Sequence, residues 1–353
     1  MMKIAIDCRF IGKSGIGTFI MSVVDHLLAE HPENQYLLIT EKGAPLKAGP
    51  NIELLESGIK PFSLKELFAF PISKINQCDV FFSPYVNIPG GIKVPVYSTI
   101  HDCVFFDVDG LVSPIGRIVR KFFYKRAVNL SRKIFTVSEF SRQRIQFHFP
   151  SSKEIIVAGN GISNDIQEYN SDGAPVKQDY YIYVGNIKRH KGLHTLVNAY
   201  ALAKKRGLTS KLMIVGNNQD FKTSDESLTT IIEQTNGVEF TGWVSNERLI
   251  SLIAGAKALV QPSLYEGFGI PPLEALYIGT NVILSDIPVF TEIYEGLPVT
   301  FFKVGDNEDL VEKLLNFNKS NLPDGLRDII NITYSYRIVA NTIIQTIEKD
   351  LKS

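Results

Sequence analysis

Pro262–Gly279 reads PSLYEGFGIPPLEALYIG, and the residues on either side of it set the architecture. Just before it stands the short apolar run ALVQ, Ala258–Gln261, of strand length. Gly267 and Gly269 then turn the chain. Pro271 or Pro272 opens a helix, because proline's missing N–H costs nothing in a first turn whose N–H groups have no helical partner. Strand, glycine turn and helix N-terminus together make a site for anions and hydroxyl-rich ligands. Glu266 falls in the turn and Glu274 in the first turn of the helix, so one carboxylate addresses a ligand at the helix mouth while the other reaches it from the helix side. The same two residues are also accounted for by the preference of acidic side chains for the positive end of a helix dipole. On the residues alone both readings stand.

Outward from this segment, short β-branched and aromatic runs alternate with stretches of helical period, the pattern of a parallel sheet with helices on both faces. The first half carries KIAID, QYLLIT, VFFS, VPVYSTI, KIFTVS and IIVAG; the second carries YYIYVG, KLMIVG, VEFTG, ALVQPS, NVILSD and TFFKV. Between them DIQEYNSDGAPVKQD lacks an apolar period and reads as a linker. The spacing predicts an α/β domain over 1–165, a linker over 166–179, a second α/β domain over 180–327, and a helical tail from about 328 to 353 that packs back onto the first domain. Two doubly wound domains imply a cleft faced by the C-terminal ends of their strands. The length of 353 residues suits two cores of middling size.

Composition narrows the function. Lys+Arg and Asp+Glu both number 37, so no global field favours nucleic acid and any anion site is local. Cys8, Cys78 and Cys103 have no CxxC spacing and sit in or beside apolar runs, as reduced core residues of a cytoplasmic protein do. The opening MMKIAIDCRF enters a strand with no basic-then-apolar leader, and no apolar run has bilayer length.

Three further segments carry chemistry. YIYVGNIKRHKGLHTLVNAY, Tyr181–Tyr200, is a strand, a basic loop of Lys188, Arg189, His190 and Lys191, and a helix; it is a pyrophosphate site or a solvated loop. His190 and His194 have helical metal-ligand spacing but no companion carboxylate, and read as a surface pair. FIGKSGIGTFI spells neither GxGxxG nor a P-loop, since Thr18 stands where the P-loop lysine belongs, which disfavours a dehydrogenase or NTPase. TIHDCVF puts His101 at a strand end, and SEFSRQRI reads as a helix capped by Ser138. GRIVRKFFYKRAVNLSRK, Gly116–Lys133, is basic without one acid and carries the apolar stripe Ile118, Val119, Phe122, Phe123, Ala127 and Leu130. That stripe either packs on the first sheet or, with Arg117, Arg120, Lys121 and Lys125, meets an anionic membrane surface.

Pro262, Ser263, Glu266, Gly267, Phe268, Gly269, Pro272, Glu274, Ala275 and Gly279 fall where glycosyltransferase family 4 has the same residues, and the segment resembles that family's signature. The likeness runs over most of the chain and is denser in the second half. It implies the GT-B fold, two Rossmann-like doubly wound domains facing a central cleft. It further implies a retaining glycosyltransferase that moves a hexose from a nucleoside-diphosphate sugar to a glycan or lipid-linked glycan. By this resemblance Glu266 holds the sugar hydroxyls, Gly267, Phe268, Gly269 and Ile270 hold sugar and phosphate, and Glu274 grips the ribose diol. Lys191 neutralises the leaving diphosphate, Gly15 and Gly17 approach the donor, Trp243 and Val244 meet the nucleobase, and His101 lies against the reacting sugar. One departure stands out: where the family has an arginine beside the glycine of the basic loop, this chain has Asn186, which leaves Arg189 as a second cation or Lys191 alone. The resemblance implies no cofactor and no metal, with the phosphate charge met by side chains. Enzymes with this EGFGIPPLEA form often use GDP-mannose, so mannose is the first expectation. The alternatives of the same fold are a nucleotide-sugar epimerase, a sugar synthase or a phosphorylase; a non-catalytic binding protein is disfavoured by the intact Glu266, Glu274 and Lys191. The expected location is cytoplasmic, on the inner face of the membrane where the basic helix engages it.

Overall fold

The computed structural model describes residues 1–13, 15–169, 176–216, 230–232, 234–318 and 321–352. The chain divides into two compact units, Met1–Ser163 with Tyr334–Ser353, and Asn164–Thr333. Of the expected linker, 170–175 lie outside the described residues, and Asn164–Gln167 just before them is a short helix.

The first unit is built on a parallel sheet of β1 (Lys3–Asp7), β2 (Gln35–Thr40), β3 (Ile52–Glu56), β4 (Val80–Ser83), β5 (Val96–Thr99), β6 (Ser131–Thr136) and β7 (Ile155–Val157), in the order β3-β2-β1-β4-β5-β6-β7. Its central strands are apolar on both faces because helices cover both, and Ala5, Leu37, Ile39, Phe81 and Ile134 are buried in one cluster. The sequence reading lacked β3. IELLE is a half-buried edge strand interrupted by Glu53, without the continuous apolar run that marks a central strand.

The single tail helix expected from about 328 is two helices, Leu326–Thr333 and Tyr336–Lys352. The break belongs to the first unit's packing: Ile162 N–H donates to Tyr334 O at 3.3 Å, and a Cβ on Gly161 would stand 2.4 Å from Tyr336 N. Tyr336–Lys352 then lies on the helix Gly15–Glu30, with the Tyr336 ring edge-on to Phe19 and Arg337 Nε donating to Glu30 Oε2 at 3.0 Å.

Helix Pro114–Leu130 begins two residues before the segment singled out from the sequence, with proline in its first turn and Ser113 Oγ accepting from Gly116 N–H at 3.1 Å. The prediction that its whole apolar stripe packs on the sheet is corrected. Phe123 and Ala127 are buried, together with Tyr124 and Val128, whereas Ile118, Val119, Phe122 and Leu130 are exposed. The buried face is one i, i+4 ridge, narrower than the stripe the sequence offers.

The second unit carries β8 (Tyr180–Val184), β9 (Lys211–Val215), β10 (Val238–Gly242), β11 (Ala258–Gln261), β12 (Asn281–Ser285) and β13 (Val299–Phe302), all parallel, in the order β10-β9-β8-β11-β12-β13. Each of the six runs read from the sequence is a strand. The tyrosines of β8 are buried because their hydroxyls find carbonyls: Tyr180 on Leu252 O at 2.6 Å and Tyr181 on Leu314 O at 2.8 Å. The chain order reverses between β8 and β11, paired through Tyr181–Ala258 and Ile182–Leu259. In a doubly wound sheet the loops leaving two such strands diverge to opposite faces and open a crevice at their C-terminal ends.

Candidate functional site

The loops leaving β8 and β11 carry the basic segment and the Glu-containing turn, so the strand order brings Lys191 and Glu266 together across 75 residues of sequence. After β8 a single 3₁₀ turn, Arg189–Lys191, ends at Gly192 with φ +68°. A Cβ there would stand 1.8 Å from Pro262 O, so only glycine lets this turn close against the loop that follows β11. His190 O accepts from Leu264 N–H at 2.8 Å and from Tyr265 N–H at 3.3 Å, which ties the two loops together by backbone.

Held by that contact, Lys191 Nζ donates to both Glu266 oxygens, at 2.8 Å to Oε1 and 2.6 Å to Oε2. Glu266 is 8% exposed, and a carboxylate this buried persists ionised only when paired. Ser263 Oγ donates to Glu266 Oε1 at 2.8 Å, and accepts from Gln261 Nε2 at 3.1 Å. Ser285 Oγ on β12 fixes Ser263 by donating to its carbonyl at 2.6 Å. Gln261, Ser263 and Ser285 were not singled out for this task from the sequence. Their only signal was position, at the ends of adjacent strands, and it becomes legible once β11 and β12 are known to pair.

The helix after the turn runs Ile270–Ile278, beginning one residue before the expected prolines, and no side chain caps its start. Gly269 enters it at φ +92°, where a Cβ would stand 2.3 Å from Phe290 Cε1, and Tyr294 hydroxyl donates to its carbonyl. Glu274 is therefore in the second turn, and the first turn holds no acid. The dipole account of Glu274 loses its basis, because that field decays within the first turn. Glu274 is half-buried and makes no hydrogen bond or salt bridge to another described residue. Desolvation, with Asp165 adding, pushes its carboxyl up to about 7. A poorly solvated carboxyl that no described residue pairs with has free acceptor capacity.

The remaining expected residues of this unit follow the C-terminal ends of β8, β10 and β11. Arg189 is exposed on the 3₁₀ turn, and its side chain makes no hydrogen bond or salt bridge to another described residue. Trp243 follows Gly242 at the end of β10 and is 82% exposed; Val244 beside it is half-buried. Gly267 and Phe268 are buried and Ile270 half-buried. The surface reading of His190 is corrected: the ring is 8% exposed, its Nδ1 has no partner, and burial lowers it to about 4, with Lys191 adding to the effect. Its place at the contact of two loops, invisible in sequence, is what buries it.

In the first unit Gly15 and Gly17 head the helix Gly15–Glu30. Gly17 is required by the turn itself, since a Cβ would meet Phe10 O at 2.4 Å, whereas Gly15 faces open space. His101 Nε2–H donates to Pro84 O at 2.9 Å, its ring stands edge-on to Phe19, and burial lowers it to about 4, so the imidazole is neutral. The corresponding reversal in this sheet, between β1 and β4, is filled by the protein: Arg9 is buried with Asp7 and Glu66 as ion-pair partners, and Asn87 donates to Glu66. At the β8/β11 reversal of the second unit, by contrast, the described polar groups include the Glu274 carboxyl, which no described side chain or backbone group partners. Among the described residues no group of three His, Cys, Asp or Glu side chains is arranged to hold a metal ion, and no helix is long and apolar enough to cross a membrane.

The family model for glycosyl transferases group 1 matches residues 165–334. An O-antigen chain mannosyltransferase, RfbU of Salmonella typhimurium, is 31% identical over 239 residues, which are 67% of this chain and 64% of that protein. A GDP-mannose:cellobiosyl-diphosphopolyprenol alpha-mannosyltransferase of Xanthomonas oryzae pv. oryzae is 33% identical over 165 residues, 45% of this chain and 42% of that one. The chain thus spans less than two thirds of the length of either relative. Among solved structures, a sucrose-phosphate synthase from Thermosynechococcus elongatus superposes with a TM-score of 0.73 at 16% identity, covering 99% of both chains. At that identity the likeness is one of fold, and it is the GT-B fold of two parallel-sheet α/β domains.

Proposed function

Because residues 165–334 belong to the glycosyl transferases group 1 family, we propose that this chain is a retaining glycosyltransferase of cell-surface polysaccharide synthesis. It moves a hexose from a nucleoside-diphosphate sugar to a glycan or lipid-linked glycan. The observation that carries the reading is the Lys191–Glu266 pair at the β8/β11 reversal, a cation and a carboxylate side by side where this sheet type binds its ligand. GDP-mannose is the donor of first choice, supported by the Xanthomonas relative, a GDP-mannose-dependent alpha-mannosyltransferase by name.

In this reading the ribose diol donates to Glu274, the nucleobase lies along Trp243 and Val244, and the diphosphate sits at the start of helix Ile270–Ile278 with Lys191 and its neighbour Arg189. Glu266 accepts from the sugar hydroxyls, and two hydroxyl donors on one carboxylate form a strong charge-assisted contact. The acceptor oxygen attacks the anomeric carbon on the face the diphosphate leaves; the C–O bond to phosphate breaks, and the departing phosphate oxygen takes the acceptor's proton. Configuration is retained with no protein base. Gly15 and Gly17 keep the donor role that the resemblance gives them, and His101 its place against the reacting sugar, as a neutral ring.

Growing charge on the leaving group is met by Lys191 and helix amides in place of a divalent ion. Transfer of [14C]mannose from GDP-[14C]mannose to a polyprenyl-diphosphate-linked glycan therefore proceeds undiminished in excess EDTA. Transfer that stops with EDTA and returns with Mn²⁺ refutes metal independence. Absence of transfer from GDP-, UDP- and dTDP-hexoses alike refutes the function.

A lipid-linked acceptor calls for a membrane-facing surface, and helix Pro114–Leu130 supplies one in this proposal. Ile115 (75% exposed), Ile118 (69%) and Phe122 (52%) stand in water among Arg117, Arg120, Lys121 and Lys125. Apolar side chains inside a basic collar fit the interface of an anionic bilayer. Binding to vesicles of phosphatidylglycerol is expected, falling by about 30-fold or more in Lys121→Glu with Lys125→Glu, since each basic residue near such a surface contributes about 1 kcal/mol and each new carboxylate is repelled. Equal sedimentation of wild type and double variant with these vesicles refutes it.

A further inference from the structure

We infer that the Lys191–Glu266 ion pair is a latch that selects the sugar-charged nucleotide over the bare nucleoside diphosphate. This rests on the proposed reading, in which Lys191 meets phosphate and Glu266 meets sugar.

With the site empty, Lys191 Nζ serves both oxygens of Glu266 and Ser263 Oγ serves one of them. Ser263 has a single hydroxyl proton, and Gln261 Nε2 occupies its acceptor side, which leaves that proton committed to Glu266. Glu266 is 8% exposed, so a Lys191 that turns away leaves a poorly hydrated carboxylate short of donors, at a cost. Any ligand that draws Lys191 off must bring donors for Glu266 in exchange. A nucleotide sugar does, through its sugar hydroxyls. A bare diphosphate offers only acceptor oxygens, leaves Glu266 with Ser263 alone, and sets two negative groups near each other. Once the hexose has gone to the acceptor, Glu266 loses its hydroxyl donors and reclaims Lys191, and the product nucleotide is released. The pair thus penalises the product more than the substrate, which is specificity by an unfavourable element.

The test is calorimetric titration of GDP and UDP into the wild type and four variants, Glu266→Gln, Lys191→Ala, their combination, and Ser263→Ala. Glu266→Gln is expected to bind the preferred diphosphate about tenfold more tightly than wild type, because Lys191 is no longer held by a charge. In the Lys191→Ala background the same change is expected to give no gain. Ser263→Ala makes Glu266 depend on Lys191 alone, so it is expected to weaken diphosphate binding about threefold, the scale of one net hydrogen bond. General damage to the site would weaken binding in both Glu266→Gln and Ser263→Ala; opposite signs are the signature of the latch. If Lys191→Ala weakens the diphosphate while Glu266→Gln leaves it equal or weaker than wild type, the latch is refuted and the phosphate role of Lys191 survives. If Lys191→Ala binds the diphosphate as wild type does, or neither diphosphate binds the wild type, the proposed reading falls with it.

Discussion

Lys191→Ala is expected to lower the transfer rate by about 10²- to 10³-fold, the usual loss when one preorganised electrostatic partner of a developing charge is removed. Negative charge grows on the diphosphate as the glycosidic bond breaks, so a fixed cation stabilises the transition state more than the bound donor, and the loss appears in kcat as well as kcat/KM. The neighbouring Arg189 separates two cases. It stands exposed on the same 3₁₀ turn, and its side chain makes no hydrogen bond or salt bridge to another described residue. If it supplies the second cation in place of the arginine absent at Asn186, Arg189→Ala costs nearly as much as Lys191→Ala, and the double variant loses less than the sum. If it is a solvated side chain, its removal costs under about 1 kcal/mol. Steady-state rates of the three variants decide between them, and a Lys191→Ala rate close to wild type removes the phosphate site.

Nucleotide affinity is expected to rise with pH up to about 7 and then level, and Glu274→Gln to abolish that dependence. Ribose hydroxyls donate to the ionised carboxylate, whereas burial holds the Glu274 carboxyl up to about 7 in the free protein. Binding below that pH must therefore expel a proton, at a cost approaching tenfold in affinity per pH unit. Diphosphate titrations between about pH 5.5 and 8, taken as the ratio of wild type to Glu274→Gln, cancel the ionisation of the phosphate itself. Parallel curves for the two proteins would contradict the ribose role. The same group shapes stability with the opposite slope. The folded form keeps its proton above the ordinary glutamate value of 4.5, so stability falls as pH rises from there to about 7. The loss is on the order of 3 kcal/mol and is absent from Glu274→Gln.

Most strands were legible because buried parallel strands are short, continuous and apolar, as YYIYV and ALVQ are. The edge strand IELLE was not, since it is covered on neither side well enough to need such a run. The break at Tyr334–Ser335 was equally hidden: Ser335 Oγ accepts from Arg337 N–H at 3.2 Å at the start of the second helix, but one serine within an apolar helical pattern does not announce a stop, and the close approach of Gly161 to Tyr336 lies far away in sequence. The exposure of Ile118, Val119 and Phe122 was hidden for the same reason, because a helical stripe records which residues are apolar and not which of them a sheet has room to cover.

By itself the sequence determined the fold class, the strand–turn–helix around Glu266 and the residue types of a phosphate- and hydroxyl-binding site, since each follows from local propensity and periodicity over a few residues. What only tertiary structure decided is which of those residues meet. Lys191 and Glu266 are joined because β8 and β11 are neighbours at the reversal of strand order, and strand order is set by how helices pack on both sheet faces. The same packing drew His190 out of solvent, gave Glu266 its support from Ser263, and left the Glu274 carboxyl without a hydrogen-bond or ion-pair partner among the described residues. Burial and pairing are properties of contacts distant in sequence, and no window of the chain contains both members.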